Sequence, residues 1–100
     1  MNILLPMDRD DTQEGELTGI YAAKTWALVV LEEGKVVEIN FYADREAVNE
    51  WVDAIVVIND FEPVMPFIEE QIMVLVAHTQ RTIDAIVEAI LFKELNELAY

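Results

Sequence analysis

The chain contains no cysteine and no serine. Without thiols there are no disulfides, no thiolate metal ligands and no cysteine nucleophile, and no serine nucleophile motif exists either. Any iron-sulfur species held here would need ligands of another kind. Histidine occurs once, as His78. Cations are scarce: Arg9, Lys24, Lys35, Arg45, Arg81 and Lys93 stand scattered against 20 acidic residues, for a net charge of -14. Nucleic-acid binding draws its affinity from clustered Lys and Arg displacing counterions, so DNA and RNA are excluded as partners, and an anionic membrane surface is disfavoured for the same reason. No apolar run approaches the roughly 18 residues that suggest a membrane-spanning helix. The N-terminus lacks the basic flank, long apolar centre and cleavage site of a secretory signal, which makes the cytoplasm the expected location.

What is present is enough for one packed domain over residues 1–100. Apolar residues make up 54% of the chain and arrive in short blocks between polar turns. Ile3, Leu4 and Leu5 predict a first strand covered on both faces, closed by Pro6, Met7 and Asp8. Residues 21–31, YAAKTWALVVL, predict a second strand. The turn EEGK leads into KVVEINFY, where Val37, Ile39 and Phe41 alternate with Glu38 and Asn40, the pattern of a hairpin arm. Helical spacing in residues 45–52, with Asp44 as N-cap, predicts a short helix. Residues 54–59 predict a fourth strand, residues 66–70 a short helix and residues 72–77 a fifth strand. From Thr79 or Thr82 to the end of the chain, Ile83, Ile86, Val87, Ile90, Leu91, Leu95 and Leu98 form one apolar stripe and predict a single long helix.

The order βββαβαβα predicts a ribonuclease H-like, three-layer α/β fold. Its five-stranded mixed sheet would run 3-2-1-4-5, with strand 2 antiparallel and helices on both faces. Strands 1 and 4 would lie side by side and parallel, so that Asp8 and Asp60, just beyond their ends, become neighbours. His78 would follow strand 5 onto the same rim, and Ile20 and Tyr21 would join it from the start of strand 2. Ligands in open α/β sheets bind outside the carboxyl ends of the parallel strands.

MNILLPMD, LEEGKVVEI, DAIVVIND, a proline-containing loop, IMVLVA and TIDAIVEAIL together resemble the nitrogenase iron-molybdenum cofactor biosynthesis domain, the NifX-like group also found at the C-terminus of NifB proteins. The resemblance covers almost the whole chain and rests on element order and strand patterning. It implies a small non-enzymatic carrier of a metal-sulfur cofactor or its iron-sulfur precursor. Two departures stand beside it. Where the group commonly has a His-Phe-Gly motif entering strand 2, this chain has Ile20-Tyr21-Ala22, and where it has a glycine-rich turn after strand 4, this chain has NDFEPV.

Asp8, Tyr21, Asp60 and His78 are therefore the candidate binding residues, with a metal-cluster cofactor or a protein as partner and a homodimer left open. Two other readings compete. A metal-dependent hydrolase would use Asp8 and Asp60 as converging carboxylates, although no basic groove offers to hold a polyanion. A structural interaction module would pair through an exposed strand edge or an apolar helix face. The acidic run DRDDTQEGE reads best as a solvated loop, because a calcium loop needs glycine at its sixth position and Gln13 stands there. Tyr21, Trp26, Trp51, Met65 and Met73 are expected to serve core or interface packing.

Overall fold

The computed structural model describes residues 1–98. Six strands form one sheet: β1 (Asn2–Met7), β2 (Thr25–Glu32), β3 (Lys35–Tyr42), β4 (Ala54–Val57), β5 (Met73–Val76) and β6 (Asn96–Glu97). Two α-helices accompany them, α1 (Met65–Glu69) and α2 (Ile83–Leu91). The strand order is β3-β2-β1-β4-β5-β6. β1, β4 and β5 run parallel, while β2 and β6 are antiparallel to their neighbours. The first five strands thus follow the expected order, and a sixth extends the sheet.

β1 reads as continuously apolar because the sheet is covered on both sides. Ile3, Leu5 and Met7 enter a cluster with Ile83 and Ile86 of α2, whereas Leu4 joins Phe67 of α1 on the opposite face. That second face carries less helix than expected. Arg45–Ala47 is a single 3-10 turn, capped where Asp44 Oδ1 accepts the Ala47 N–H (2.9 Å), and the predicted helix over residues 45–52 goes no further. Val48, Asn49, Trp51 and Val52 are all poor helix formers, and burying Val48 and Val52 in an irregular segment decides the outcome. Strand 2 also starts later than predicted, because Ile20–Ala22 forms another 3-10 turn.

The largest correction lies at the C-terminus. α2 begins where Thr82 Oγ1 accepts the Ala85 N–H (3.2 Å), but it ends at Leu91. Lys93 takes positive φ (57°), the Lys93 N–H donates to the Ile90 carbonyl (3.1 Å) and the Glu94 N–H donates to the Ala89 carbonyl (2.7 Å). This is a Schellman stop with lysine where glycine is the usual choice. Leu95 therefore rejoins the α2-side cluster from outside the helix, and Leu98 packs on the opposite face. The predicted end of the helix at residues 99–100 lies outside the described residues. α1 ends the same way: Gln71 has φ 64°, and the Ile72 N–H donates back to the Phe67 carbonyl (2.9 Å).

Candidate functional site

β1 and β4 pair only near their starts, at Ile3 with Ala54 and Leu4 with Ile55. Beyond that point the side of β1 facing β4 is taken by a different segment. The Thr18 N–H donates to the Pro6 carbonyl (2.9 Å), and the Asp8 N–H donates to the Glu16 carbonyl (3.0 Å). Proline is tolerated inside β1 because its missing N–H falls on this side, away from the β2 ladder. Leu17 pairs with Met7, and its own N–H reaches the Arg81 carbonyl (2.6 Å). Leu17 is buried with the α2-side cluster, while Ile20, three residues on, packs against the α1-side cluster. Residues 16–20 thus pass through the notch between the diverging strands, from one face of the sheet to the other.

This notch is the switch point of the sheet, since the connection after β1 leaves toward β2 and the one after β4 leaves toward β5. Open α/β sheets usually leave a ligand crevice there. Here Leu17, Thr18, Gly19 and Ile20 fill it. Gly15 makes the return possible: a Cβ at that position would lie 2.5 Å from the Asp11 carbonyl oxygen and 2.9 Å from that of Arg9. Asp11 Oδ1 accepts the Gln13 and Glu14 N–H groups (2.8 Å each). The Glu14 N–H, then that of Gln13, holds the Asp11 carboxyl below the ordinary carboxylate range. The acidic loop is a self-capped turn, and among the described residues no three His, Cys, Asp or Glu side chains are placed to share a metal ion.

The four candidate residues distribute unevenly around the notch. Asp60 and His78 come together, with Nε2 to Oδ1 at 3.3 Å. Both side chains are about half exposed, so water screens the pair and it adds little to stability. Asp8 stands across the inserted segment instead, accepting the Glu16 N–H (2.8 Å) and lying 3.6 Å from Arg9. The expected contact between Asp8 and Asp60 is thus interrupted by residues 16–18. Tyr21 sits on the 3-10 turn that follows the segment and is 89% exposed.

Four further residues shape the rim, and of these sequence reasoning pointed only to Asn59 and Glu62, as part of a loop. Glu62 Oε1 accepts the Ile20 N–H (2.6 Å), tying the Tyr21 turn to the loop after β4. Asn59 Oδ1 accepts the Phe61 N–H (2.8 Å), an Asx turn that leaves the Phe61 ring 93% exposed. Arg81 donates to the carbonyls of Ala77 (2.9 Å), Gln80 (2.8 Å) and His78 (3.1 Å), fixing the loop that carries the imidazole. Leu17 is the fourth. The Asn-Asp turn chemistry was legible in NDFEP; the long-range roles of Glu62, Arg81 and Leu17 carry no local signal.

Packing expectations divide as well. Trp26 is buried and lies 6.4 Å from the Phe67 ring, as expected of a core residue. Tyr21, Trp51, Met65 and Met73 are exposed and so lie outside the core. Trp51 donates Nε1–H to Asp53 Oδ1 (3.0 Å), at the opposite end of β4 from the rim. Three surface cavities lie away from the Asp60–His78 pair. One of about 390 Å³ borders Met73, Leu75 and Ile90, one of about 400 Å³ borders Arg9, Lys24 and Tyr42, and a smaller one borders Arg45 and Trp51.

The rim therefore offers one imidazole, carboxylates and two exposed aromatic rings. A multidentate hold on a metal-sulfur cluster does not fit this donor set. Attachment at a single point through His78 does.

No family model matches the chain, and no curated protein is detectably similar to it. Solved structures are similar. The crystal structure of a "putative dinitrogenase" from Methanocaldococcus jannaschii matches with a TM-score of 0.78 and 19% identity, covering 99% of this chain and 95% of that one. An NMR structure carrying the same description gives 0.77 and 19%, over 100% and 94% of the two chains. At that identity the likeness shows a shared fold. No helix of the described residues is long and apolar enough to cross a membrane.

Proposed function

We propose that this chain is a non-enzymatic binding protein of the nitrogenase-accessory type, which presents its ligand on the outer rim rather than enclosing it. The supporting observation is the pairing of a filled switch-point notch with an exposed surface bearing Tyr21, Asp60, Phe61 and His78. An enclosed reaction centre needs a crevice that excludes water and aligns several groups. An exposed rim with one imidazole suits brief contact and hand-over. The cargo is a metal-sulfur cofactor or its iron-sulfur precursor, attached to His78, with the Tyr21 and Phe61 rings against its apolar or protein-borne surroundings.

Anaerobic titration with isolated iron-molybdenum cofactor tests this reading. The expected result is a chromophore that comigrates with the protein, is lost in His78→Ala and is weakened in the Tyr21→Ala, Phe61→Ala double variant. A wild-type protein that never retains the chromophore contradicts carriage, and retention unchanged in His78→Ala moves the attachment point elsewhere.

A further inference from the structure

The two edges of the sheet differ. On one side β6 contributes only two residues. On the other, the eight-residue β3 pairs with β2 alone, leaving the strand's outer side open. The backbone direction along that side follows from the neighbouring strands. The Met1 carbonyl accepts from the Leu31 N–H, and Ile3 and Leu5 pair with Val29 and Ala27 in the same register, so the odd-numbered residues of β2 turn their backbone groups toward β1. The even-numbered residues Trp26, Leu28 and Val30 then bond to Tyr42, Asn40 and Glu38. Ile39 and Phe41 consequently direct both N–H and C=O outward.

The register shift between Val30 and Leu31 leaves Val37 as an extra residue on β3. The bulge confines regular strand to Glu38–Tyr42, a stretch whose centre is Asn40. Charge sets this edge apart as well. Lys35 to Ala43 holds one cation and one anion, a neutral strip on a chain whose net charge is -14.

We propose that two copies of this chain pair antiparallel through β3, about a two-fold axis at Asn40, to form a continuous twelve-stranded sheet. In this register Ile39 faces Phe41 of the other copy twice, giving four backbone hydrogen bonds and two apolar cross-strand pairs. Asn40 meets its own symmetry mate, and amide with amide is a self-complementary donor and acceptor pair. Glu38 comes opposite Tyr42, whose phenol donates to the carboxylate. Within one copy the Asn40 amide donates to Glu38, so both side chains already lie on the face where these contacts form. The register stops before the bulge and needs no distortion of the hairpin.

Cross-linking and hydrodynamics test the proposal on the full chain. Asn40 occupies a non-hydrogen-bonded site, where facing Cα atoms lie about 4.5 Å apart, within the range a disulfide spans. Because the chain has no cysteine, Asn40→Cys introduces a lone thiol. Oxidation should give a covalent dimer of twice 11.4 kDa, whereas Tyr42→Cys, which faces Glu38, should remain uncross-linked. By sedimentation the wild type should be dimeric, and increasingly so as salt screens the mutual repulsion. Asn40→Lys should be monomeric, because it opposes two cations on the axis while keeping its ladder bonds to Leu28. Ile39→Pro should be monomeric too, since it deletes an outward N–H that has no partner within the copy. A wild type that stays monomeric at high concentration and salt overturns the proposal, as does a dimer that survives Asn40→Lys in a folded protein. Equal cross-linking of both cysteine variants overturns the register.

Discussion

β1 meets β4 in two ways along its length. At the amino end the strands are welded: Ile3 and Leu4 pair with Ala54 and Ile55, and Asn2 adds backbone and side-chain bonds to Asp53 and Trp51. At the carboxyl end they part, and the same chain threads Leu17 to Ile20 through the gap. The first end needs only apolar strands of matching length. The second depends on Gly15, which lets the acidic loop close, on the distant Glu62 carboxylate and on the distant Arg81 carbonyl. A sheet of this topology provides a crevice by default, and what the connecting loop does there decides whether the crevice is open.

Weakening the inserted segment sharpens this contrast. Leu17→Ala should have the largest effect, destabilising the protein by about 3 kcal/mol in urea unfolding, since a fully buried leucine leaves a cavity at a junction of several elements. An effect below about 1 kcal/mol would mean the segment is not packed into the core. Glu62→Ala should cost about 1–2 kcal/mol by removing a charged acceptor from the Ile20 N–H. It should also broaden the Tyr21 and Phe61 NMR signals together, because the bond joins their loops. Lys93→Gly acts in the opposite sense, raising stability by about 1 kcal/mol through relief of left-handed strain at the end of α2. If it lowers stability, the Schellman stop is not as described.

The smallest effect is a pH dependence. The Asp11 carboxyl is held below its ordinary range by N–H groups that exist only in the folded loop. Its contribution is complete above the ordinary Asp pKa of about 3.9 and disappears as pH falls through the lowered folded value. Between those limits the wild type should lose more stability than Asp11→Asn. Parallel acid-unfolding curves would show that the loop is not self-capped.

The welded end was legible in the sequence and the threaded end was not. Buried strands announce themselves through runs such as AIVV and MVLV, and their crossovers leave few permitted orders. Helix stops were hidden because Gln71 and Lys93 occupy left-handed positions normally marked by glycine, so the apolar stripe appeared to run on through Leu95 and Leu98. The helix expected at residues 45–52 came from spacing alone, and tertiary burial of Val48 and Val52 overrode it. Asp60 and His78 met because both follow parallel strands. Asp8 follows one too, but Leu17 occupies the space beside it, and an apolar residue inside an acidic loop gives no hint of where it will be buried.

Native-state hydrogen exchange at the Leu17 and Thr18 amides tests the filled notch most directly. Both donate to backbone carbonyls on other segments, those of Arg81 and Pro6. They should exchange about as slowly as the Leu4 and Leu5 amides, through global unfolding only. Exchange as fast as that of Asp10 and Gln13, with β1 still protected, would mean that the notch stands open and that a ligand can enter it.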